Sequence, residues 1–205
     1  MWYYGYMNKN VAISWSIEFG PIIAFFGALH FLGSTDRGFI SATAIFTVLT
    51  AAALLASYIY ESRIALFPLI AGLSVIIFGV ITLIYSNPLI FILKDSFYNG
   101  FFALFLLGGF AIEKPMLKIL FKALFDMKDE GWMILSYRWG IMFLLLTIGN
   151  EVSWRFFGQE VWVQYKFWST IATAIFGFYQ LTLSKKFRNE SATPLGLRNR
   201  MYHEK

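Results

Sequence analysis

Long apolar stretches, separated by short polar segments, dominate the pattern of the chain. A helix that crosses a bilayer needs about 20 mainly apolar residues. Six stretches come near that length, namely residues 17–32, 39–60, 64–85, 97–112, a run around 140–149, and 167–183. The pattern therefore predicts an all-α fold, a polytopic transmembrane helix bundle of five to six spans that forms one domain over residues 1–184.

The first stretch fits a span less well than the others. It is short, opens beside the Gly-Pro pair at residues 20–21, and carries the polar residues Glu18 and His30. It therefore either crosses with a tilt or enters the bilayer and stays shallow. These two alternatives leave the number of spans at five or six.

A polar interruption precedes the fourth stretch. Residues 86–96, SNPLIFILKDS, hold the turn residues Asn87 and Pro88 and then a brief apolar run. This run is too short to cross a bilayer. We therefore expect the fourth span to begin at Phe97.

The connection over residues 115–128 predicts an amphipathic helix that starts at Pro115. Apolar side chains recur at helical spacing on one face, at positions 117, 120, 121, 124 and 125. Lys114, Lys118 and Lys122 recur every four residues on another face. This pattern is typical of a helix in the membrane interface with its lysines near anionic lipid headgroups. The alternative is a cytoplasmic extension of the fourth span that packs on the bundle.

Composition indicates the same class of protein. The chain has 58% hydrophobic and only 14% charged residues, whereas about a quarter of the residues in soluble domains are charged. We therefore predict an integral membrane protein. The net charge of +5 lies in membrane-side segments, so nucleic acid is not an expected partner. The absence of cysteine excludes disulfides and thiolate metal sites.

The positions of Lys and Arg predict the orientation, because cytoplasmic loops carry an excess of both. With the N-terminus inside, 13 of the 17 basic residues fall on the cytoplasmic side, and Arg37, Lys94, Arg155 and Lys166 remain outside. Both termini are therefore predicted to be cytoplasmic; if the first stretch does not cross, only the N-terminus changes side. Residues 185–205 are polar and basic, and we predict a disordered cytoplasmic tail.

Candidate catalytic chemistry is sparse. The two histidines, His30 and His203, lie in the first stretch and in the tail, so they do not predict a histidine-based metal site or triad. The sequence holds neither a Walker-type phosphate loop nor a GxSxG motif. Asp129 and Glu130 stand beside lysines in a polar turn, which favours surface charges over a magnesium site. We therefore expect no enzymatic activity, no cofactor and no metal.

A polar and aromatic segment between two uncharged runs, GNEVSWRFFGQEVWVQYKFW (residues 149–168), predicts the candidate functional site. If the fifth span continues through Arg155, Glu151 precedes that base by one helical turn, the favoured order for an i, i+4 ion pair. Lys166 is expected to enter the sixth span close enough to contact the same carboxylate.

Trp154 and Trp162 suit the aromatic belt at a membrane boundary and would set the depth of this segment. The predicted platform comprises Asn150, Glu151, Trp154, Arg155, Trp162 and Lys166. A carboxylate at a membrane boundary is a functional candidate by default. The alternative is that these residues only anchor the protein in the membrane.

Residues 137–180 also resemble the signature region of the bacterial intracellular septation protein A family, the inner-membrane-spanning YciB type. The matching positions are Arg138, Trp139, Asn150, Glu151, Trp154, Arg155, Trp162, Val163, Lys166, Thr173, Phe176 and Gln180. Upstream agreement includes Phe19–Pro21, Ala42–Ala44, Phe78–Leu83, Asn99, Lys114 and Pro115. The chain departs from the family at residues 94–96, where Lys-Asp-Ser replaces the usual Lys-Pro-Thr, and its basic tail is longer.

The resemblance implies a multi-pass protein of the bacterial inner membrane that supports envelope maintenance, septation and normal cell length. The implied partners are cell-elongation and division proteins that build peptidoglycan, and the family has no established enzymatic activity or cofactor. Three hypotheses follow, the first being a non-enzymatic scaffold that docks proteins or membrane lipids. The second is a small transporter or lipid-handling protein, and the third is an intramembrane enzyme. Transport would require one polar cavity lined by Glu18, His30, Asn99, Arg138 and Glu151.

Overall fold

The computed structural model describes residues 19–33, 35–61, 66–122 and 124–198. Six helices account for most of these residues: α1 (Phe19–Leu32), α2 (Asp36–Glu61), α3 (Leu66–Tyr85), α4 (Pro88–Ala111), α5 (Met116–Phe121) and α6 (Asp129–Lys186). Helices α2, α4 and α6 are long and apolar enough to cross a membrane, whereas α1 and the apolar part of α3, Leu69–Tyr85, are shorter. The predicted all-α membrane bundle is confirmed.

The chain divides into two compact units, Met1–Lys94 and Asp95–Lys205. The boundary lies inside α4 rather than in a linker. The single domain expected over residues 1–184 stays a prediction.

Close packing of α2 on α3 characterises the first unit. A β-carbon added at Gly79 of α3 would lie 2.0 Å from the hydroxyl oxygen of Thr47 in α2. Thr47 is buried and its hydroxyl donates to the carbonyl oxygen of Thr43 at 2.7 Å. Small and hydroxyl-bearing residues allow helices to approach each other closely in a membrane, where no hydrophobic force drives them together.

An aromatic cluster fills the core of the same unit. Phe25 of α1 packs against Phe39 and Phe46 of α2 and against Phe91 at the start of α4, with ring centroids 5.3–6.0 Å apart. The ammonium of Lys94, itself buried, lies 4.8 Å from the centroid of the Phe91 ring. This cation–π contact lets a basic residue lie among apolar side chains.

Helix α4 begins nine residues earlier than expected, at Pro88 rather than Phe97. Asn87 explains the start, because its side-chain oxygen accepts a hydrogen bond from the backbone amide of Leu89 at 3.0 Å. Pro88 occupies the first turn, where its missing amide proton costs nothing. The interpretation of residues 86–96 as a turn and a short separate run was wrong, and Lys94, Asp95 and Ser96 belong to the body of a helix.

Helix α6 is a hairpin of two helical arms, residues 129–157 and 159–186, that meet at Gly158. Gly158 has φ 83° and ψ −177°, a backbone conformation that is essentially restricted to glycine. The arms run antiparallel, as two contacts at different heights show: the Tyr165 hydroxyl donates to the Leu146 carbonyl at 2.8 Å, and Trp139 packs edge-on against Phe176. The arms contain the expected fifth and sixth spans, residues 140–149 and 167–183.

The connection before α6 is mostly not helical. Helix α5 covers six residues, whereas the prediction extended over about 115–128. Its buried Leu117 donates its backbone amide to the Ser136 hydroxyl of α6 at 3.1 Å, so α5 packs on the second unit's longest helix. Residues 124–128 instead bond to the segment after α6, with isolated bridges Phe125↔Leu197 and Met127↔Arg188.

The segment that follows α6 is folded where the structure describes it. Residues 187–198 return along residues 124–128 through backbone hydrogen bonds that include Lys128 N to Phe187 O and Arg198 N to Leu124 O, at 2.9 and 2.8 Å. This differs from the disordered tail expected over 185–205. Residues 199–205 lie outside the described part of the chain.

Candidate functional site

Polar residues from α4 and from both arms of α6 meet near the Gly158 end of the hairpin. Asn150 lies eight residues before Gly158 and Lys166 lies eight after it, so both are about 12 Å along the helix axis from the turn. We call the group the hairpin cluster, and its members are Asp95, Ser96, Asn150, Glu151, Trp154, Arg155, Trp162 and Lys166. The expected loop from Glu151 to Lys166 is helical on both sides of Gly158.

Asn150 connects three helical segments in the buried layer of the cluster. Its side-chain amide nitrogen donates to the hydroxyl oxygen of Ser96 in α4 at 2.7 Å. Its side-chain oxygen accepts a hydrogen bond from the indole N–H of Trp162 at 2.6 Å. Asn150 and Trp162 are both fully buried. Because buried polar groups are costly without partners, this pair fixes how the two arms and α4 pack.

Glu151 forms the more exposed layer above Asn150. One carboxylate oxygen accepts a hydrogen bond from the Ser96 hydroxyl, and the other pairs with Arg155 Nε at 2.5 Å. This confirms that the helix of the fifth span continues through Arg155 and that the i, i+4 pair forms. The Arg155 guanidinium also lies 4.5 Å from the centroid of the Trp154 ring. The Glu151 side chain is 27% exposed and that of Arg155 is 56% exposed, so neither charge is buried inside the protein.

Lys166 pairs with Asp95 of α4 rather than with Glu151, so its predicted partner was wrong. The Lys166 ammonium lies 2.7 Å from a carboxylate oxygen of Asp95, whose side chain is only 5% exposed. A charged group buried this deeply needs an opposite charge, because desolvation is expensive. The physical reason for the correction is the early start of α4, which carries Asp95 into the bundle beside the second arm.

The predicted platform residues occupy one end of the hairpin, and two members of the cluster were missed. Asp95 and Ser96 were assigned to a polar interruption before a span. The signal that predicts their place is the Asn-Pro pair at residues 87–88, which is typical of a helix start. A helix that begins there has room for both residues within its first three turns.

The residues proposed to line one transport cavity do not all converge. Arg138 donates to the side-chain oxygen of Gln180 at 3.3 Å, and it precedes Glu151 by 13 residues in the same helical arm. That spacing separates the two by about 20 Å along the helix axis. Arg138 and Glu151 therefore do not face one site, and Glu18 lies outside the described residues.

The three candidate lipid-facing lysines have different environments. Lys114 and Lys122 are exposed, whereas the Lys118 ammonium forms an ion pair with Asp129 at the start of α6. The charge of Lys118 is thus partly neutralised by an acid of the protein itself. Contact of these lysines with anionic headgroups stays a prediction.

Comparison with known proteins decides the family. The family described as intracellular septation protein A matches residues 13–191, most of the chain. The chain belongs to this septation protein A family. Three similar relatives of that family type carry the name inner membrane-spanning protein YciB, and no solved structure matches the chain.

The relative from Rhizobium meliloti is 36% identical over 181 residues, which cover 83% of this chain and 86% of the relative. That from Agrobacterium fabrum is 36% identical over 191 residues, 88% of this chain and 92% of the relative. That from Brucella melitensis is 34% identical over 182 residues, 83% of this chain and 91% of the relative. These names and the apolar helices agree on a multi-pass protein of the inner membrane.

Proposed function

We propose that this septation protein A family member is a non-enzymatic inner-membrane protein that supports septation, cell elongation and envelope maintenance. Its action would be to dock membrane proteins of elongation, division and peptidoglycan synthesis. The docking surface is the exposed layer of the hairpin cluster, centred on Glu151 and Arg155.

One observation is the main support for this proposal: the partly exposed ion pair Glu151–Arg155 lies directly beside the buried, hydrogen-bonded residues Asn150 and Trp162. The Asn150–Trp162 hydrogen bond and the Ser96 hydroxyl hold Glu151 in place from below. Beside it, Phe156 and Phe157 expose most of their surface. Arginine and aromatic side chains around a preformed centre are typical of residues that dominate protein–protein binding.

The Glu151→Gln variant tests the proposal. Glutamine keeps the shape and can still accept a hydrogen bond from Ser96, but it removes the charge that pairs with Arg155. We expect normal membrane insertion and abundance together with loss of envelope function. The measurement is rescue of cell length and septation in a strain lacking the gene, with the protein level determined by immunoblot in the same cultures.

Glu160→Gln is the matched control, because Glu160 is an exposed acid on the other side of Gly158. It removes the same charge near the same turn and should rescue fully. Full rescue by Glu151→Gln at normal abundance would reduce the cluster to a membrane anchor.

We also infer that both termini are cytoplasmic and that the Gly158 turn faces outward. The support is the excess of Lys and Arg at the opposite end of the hairpin from Gly158. Because the chain has no cysteine, single-cysteine variants Glu160→Cys and Glu190→Cys carry no background label. A membrane-impermeant maleimide should label position 160 in intact spheroplasts, and position 190 only after the membrane is opened. Labelling of position 190 in intact spheroplasts would show that the C-terminal segment faces outward and would contradict the inferred orientation.

A further inference from the structure

One acidic residue, Asp126, holds the segment after α6 against the rest of the second unit. We call residues 187–198 the strap. Asp126 accepts side-chain hydrogen bonds from Asn189 and Ser191 at 2.6 and 2.9 Å, one to each carboxylate oxygen. Its backbone amide donates to the Gly196 carbonyl at 2.9 Å, and its carbonyl accepts from the Asn189 amide at 3.1 Å. Four bonds to one residue define the strap's position.

Contacts with the end of α6 hold the strap from its other side. The Ser184 hydroxyl donates to the Leu195 carbonyl at 2.8 Å. Gly196, with φ 78°, approaches so closely that an added β-carbon would lie 2.6 Å from the Ser184 carbonyl oxygen. The strap is therefore a specific structure, and the side chains it exposes have defined positions.

Large apolar side chains point outward from this structure. Leu124, Leu195 and Leu197 are 38–50% exposed. Backbone bonds bring two of them together, because Arg198 N donates to Leu124 O and Leu197 bridges to Phe125. Exposed leucines on a small, well-bonded element mark a surface that contacts something apolar.

Basic side chains surround these leucines. Within residues 124–130 and 185–198, the exposed bases are Lys128, Lys185, Lys186, Arg188 and Arg198, and the exposed acids are Asp129, Glu130 and Glu190. Asp129 already pairs with Lys118. The surface therefore has a net positive charge, which complements an anionic partner.

The length of the second α6 arm places the strap at a membrane boundary. Residues 159–186 extend about 42 Å as a helix, whereas the hydrocarbon core is about 30 Å thick. The bilayer with its headgroup layers is about 40–45 Å thick, so an arm centred on the hydrocarbon core extends about 6 Å beyond the core at each end and places Lys186 at headgroup depth. A membrane surface is thus the anionic partner within reach of the strap.

We propose that the strap is a binding site for anionic phospholipids. Leu124, Leu195 and Leu197 enter the boundary between headgroups and acyl chains, while Arg188 and Arg198 contact the phosphates. Surfaces that combine exposed apolar side chains with basic residues bind this interface. The inference does not depend on the docking role proposed for the hairpin cluster.

The test uses the full chain in lipid nanodiscs. The single-cysteine variant Leu195→Cys, labelled with the environment-sensitive fluorophore NBD, reports on the polarity around the strap. In nanodiscs of phosphatidylglycerol and phosphatidylcholine, the emission should shift to the blue and be quenched by nitroxide-labelled lipid. In phosphatidylcholine alone, both effects should be much weaker. The label at Glu190→Cys, an exposed polar site on the strap, should respond less than that at position 195.

Charge-removing variants distinguish the contribution of the strap arginines from that of the lysines that flank α5. Arg188→Gln with Arg198→Gln should raise the fraction of phosphatidylglycerol needed for half of the NBD response, because each arginine near an anionic surface changes affinity by about five-fold. Lys114→Gln with Lys122→Gln removes the same charge from the two ends of α5 and should change that fraction less. Equal emission at position 195 in both lipid compositions would overturn the proposal. An equal effect of the two charge pairs would assign the anionic site to the whole basic surface and would also overturn it.

Discussion

The Trp162→Ala variant is expected to lose about 3–5 kcal/mol of unfolding free energy, the largest effect of any single truncation in the hairpin. The indole is fully buried and its N–H donates to Asn150 at 2.6 Å. Alanine leaves a cavity between the two arms and removes a donor from a buried acceptor, which adds an unsatisfied polar group. Denaturant unfolding of the purified protein in mild detergent, followed by circular dichroism, measures the change.

Trp168→Ala supplies the comparison, because Trp168 lies on the same arm and is 65% exposed. This variant removes the same atoms but should change the unfolding free energy by less than about 1 kcal/mol in detergent. Trp162→Phe should fall between the two, since it keeps most of the buried volume but loses the hydrogen bond and leaves a smaller cavity. If Trp162→Ala and Trp168→Ala were equal, the support proposed beneath Glu151 would not exist.

The sequence predicts helices well where apolar runs are long and uninterrupted. Residues 39–60 and 167–183 lie within helices of the structure, because in a bilayer the backbone has few alternatives to helical hydrogen bonding. Prediction failed at residues 86–96 because the charged residues Lys94 and Asp95 look incompatible with a span. The structure accommodates Lys94 through a contact with the Phe91 ring one turn earlier in α4, and Asp95 through an ion pair with Lys166 of α6.

Local spacing gives the intrahelical part of the site but not its partners on other helices. The pair Glu151–Arg155 follows from a separation of four residues in one helix. Ser96 and Asn150 are 54 residues apart in the sequence, and the spacing of apolar and polar residues does not predict a contact between them. The same holds for the strap, whose fold depends on Asp126 and on Ser191, 65 residues later. Composition alone suggests a disordered tail there, because few of its residues can be buried.

The departure from the family at residues 94–96 now has a structural meaning. Where the resemblance implies Lys-Pro-Thr, this chain has Lys-Asp-Ser, inside α4. Serine keeps the hydroxyl that a threonine would offer to Asn150 and Glu151. Aspartate is different, because it adds a buried carboxylate that neutralises Lys166. A threonine at position 96 could make the same contacts, whereas a proline at position 95 would offer no carboxylate to Lys166.

Breaking the Asp95–Lys166 pair should be strongly destabilising, whereas removing both charges should not. Lys166→Met leaves the Asp95 carboxylate, only 5% exposed, without its cation, and should lower the unfolding free energy by about 3–5 kcal/mol. Asp95→Asn should cost less, because the 27% exposed Lys166 side chain can extend its ammonium toward the headgroups. Unfolding of both single variants and the double variant in detergent gives the coupling energy.

The double variant Asp95→Asn with Lys166→Met decides whether the ion pair adds net stability or only compensates for the desolvation cost of its two charges. It removes both charges of the pair, so its unfolding free energy should lie much closer to that of the original protein than to that of Lys166→Met. Arg155→Gln, which breaks a more exposed pair, should cost about 1 kcal/mol or less. Additive losses in the double variant would show that the two charges act independently. They would then require partners other than each other, and the assignment of Asp95 as the counter-ion of Lys166 would fail.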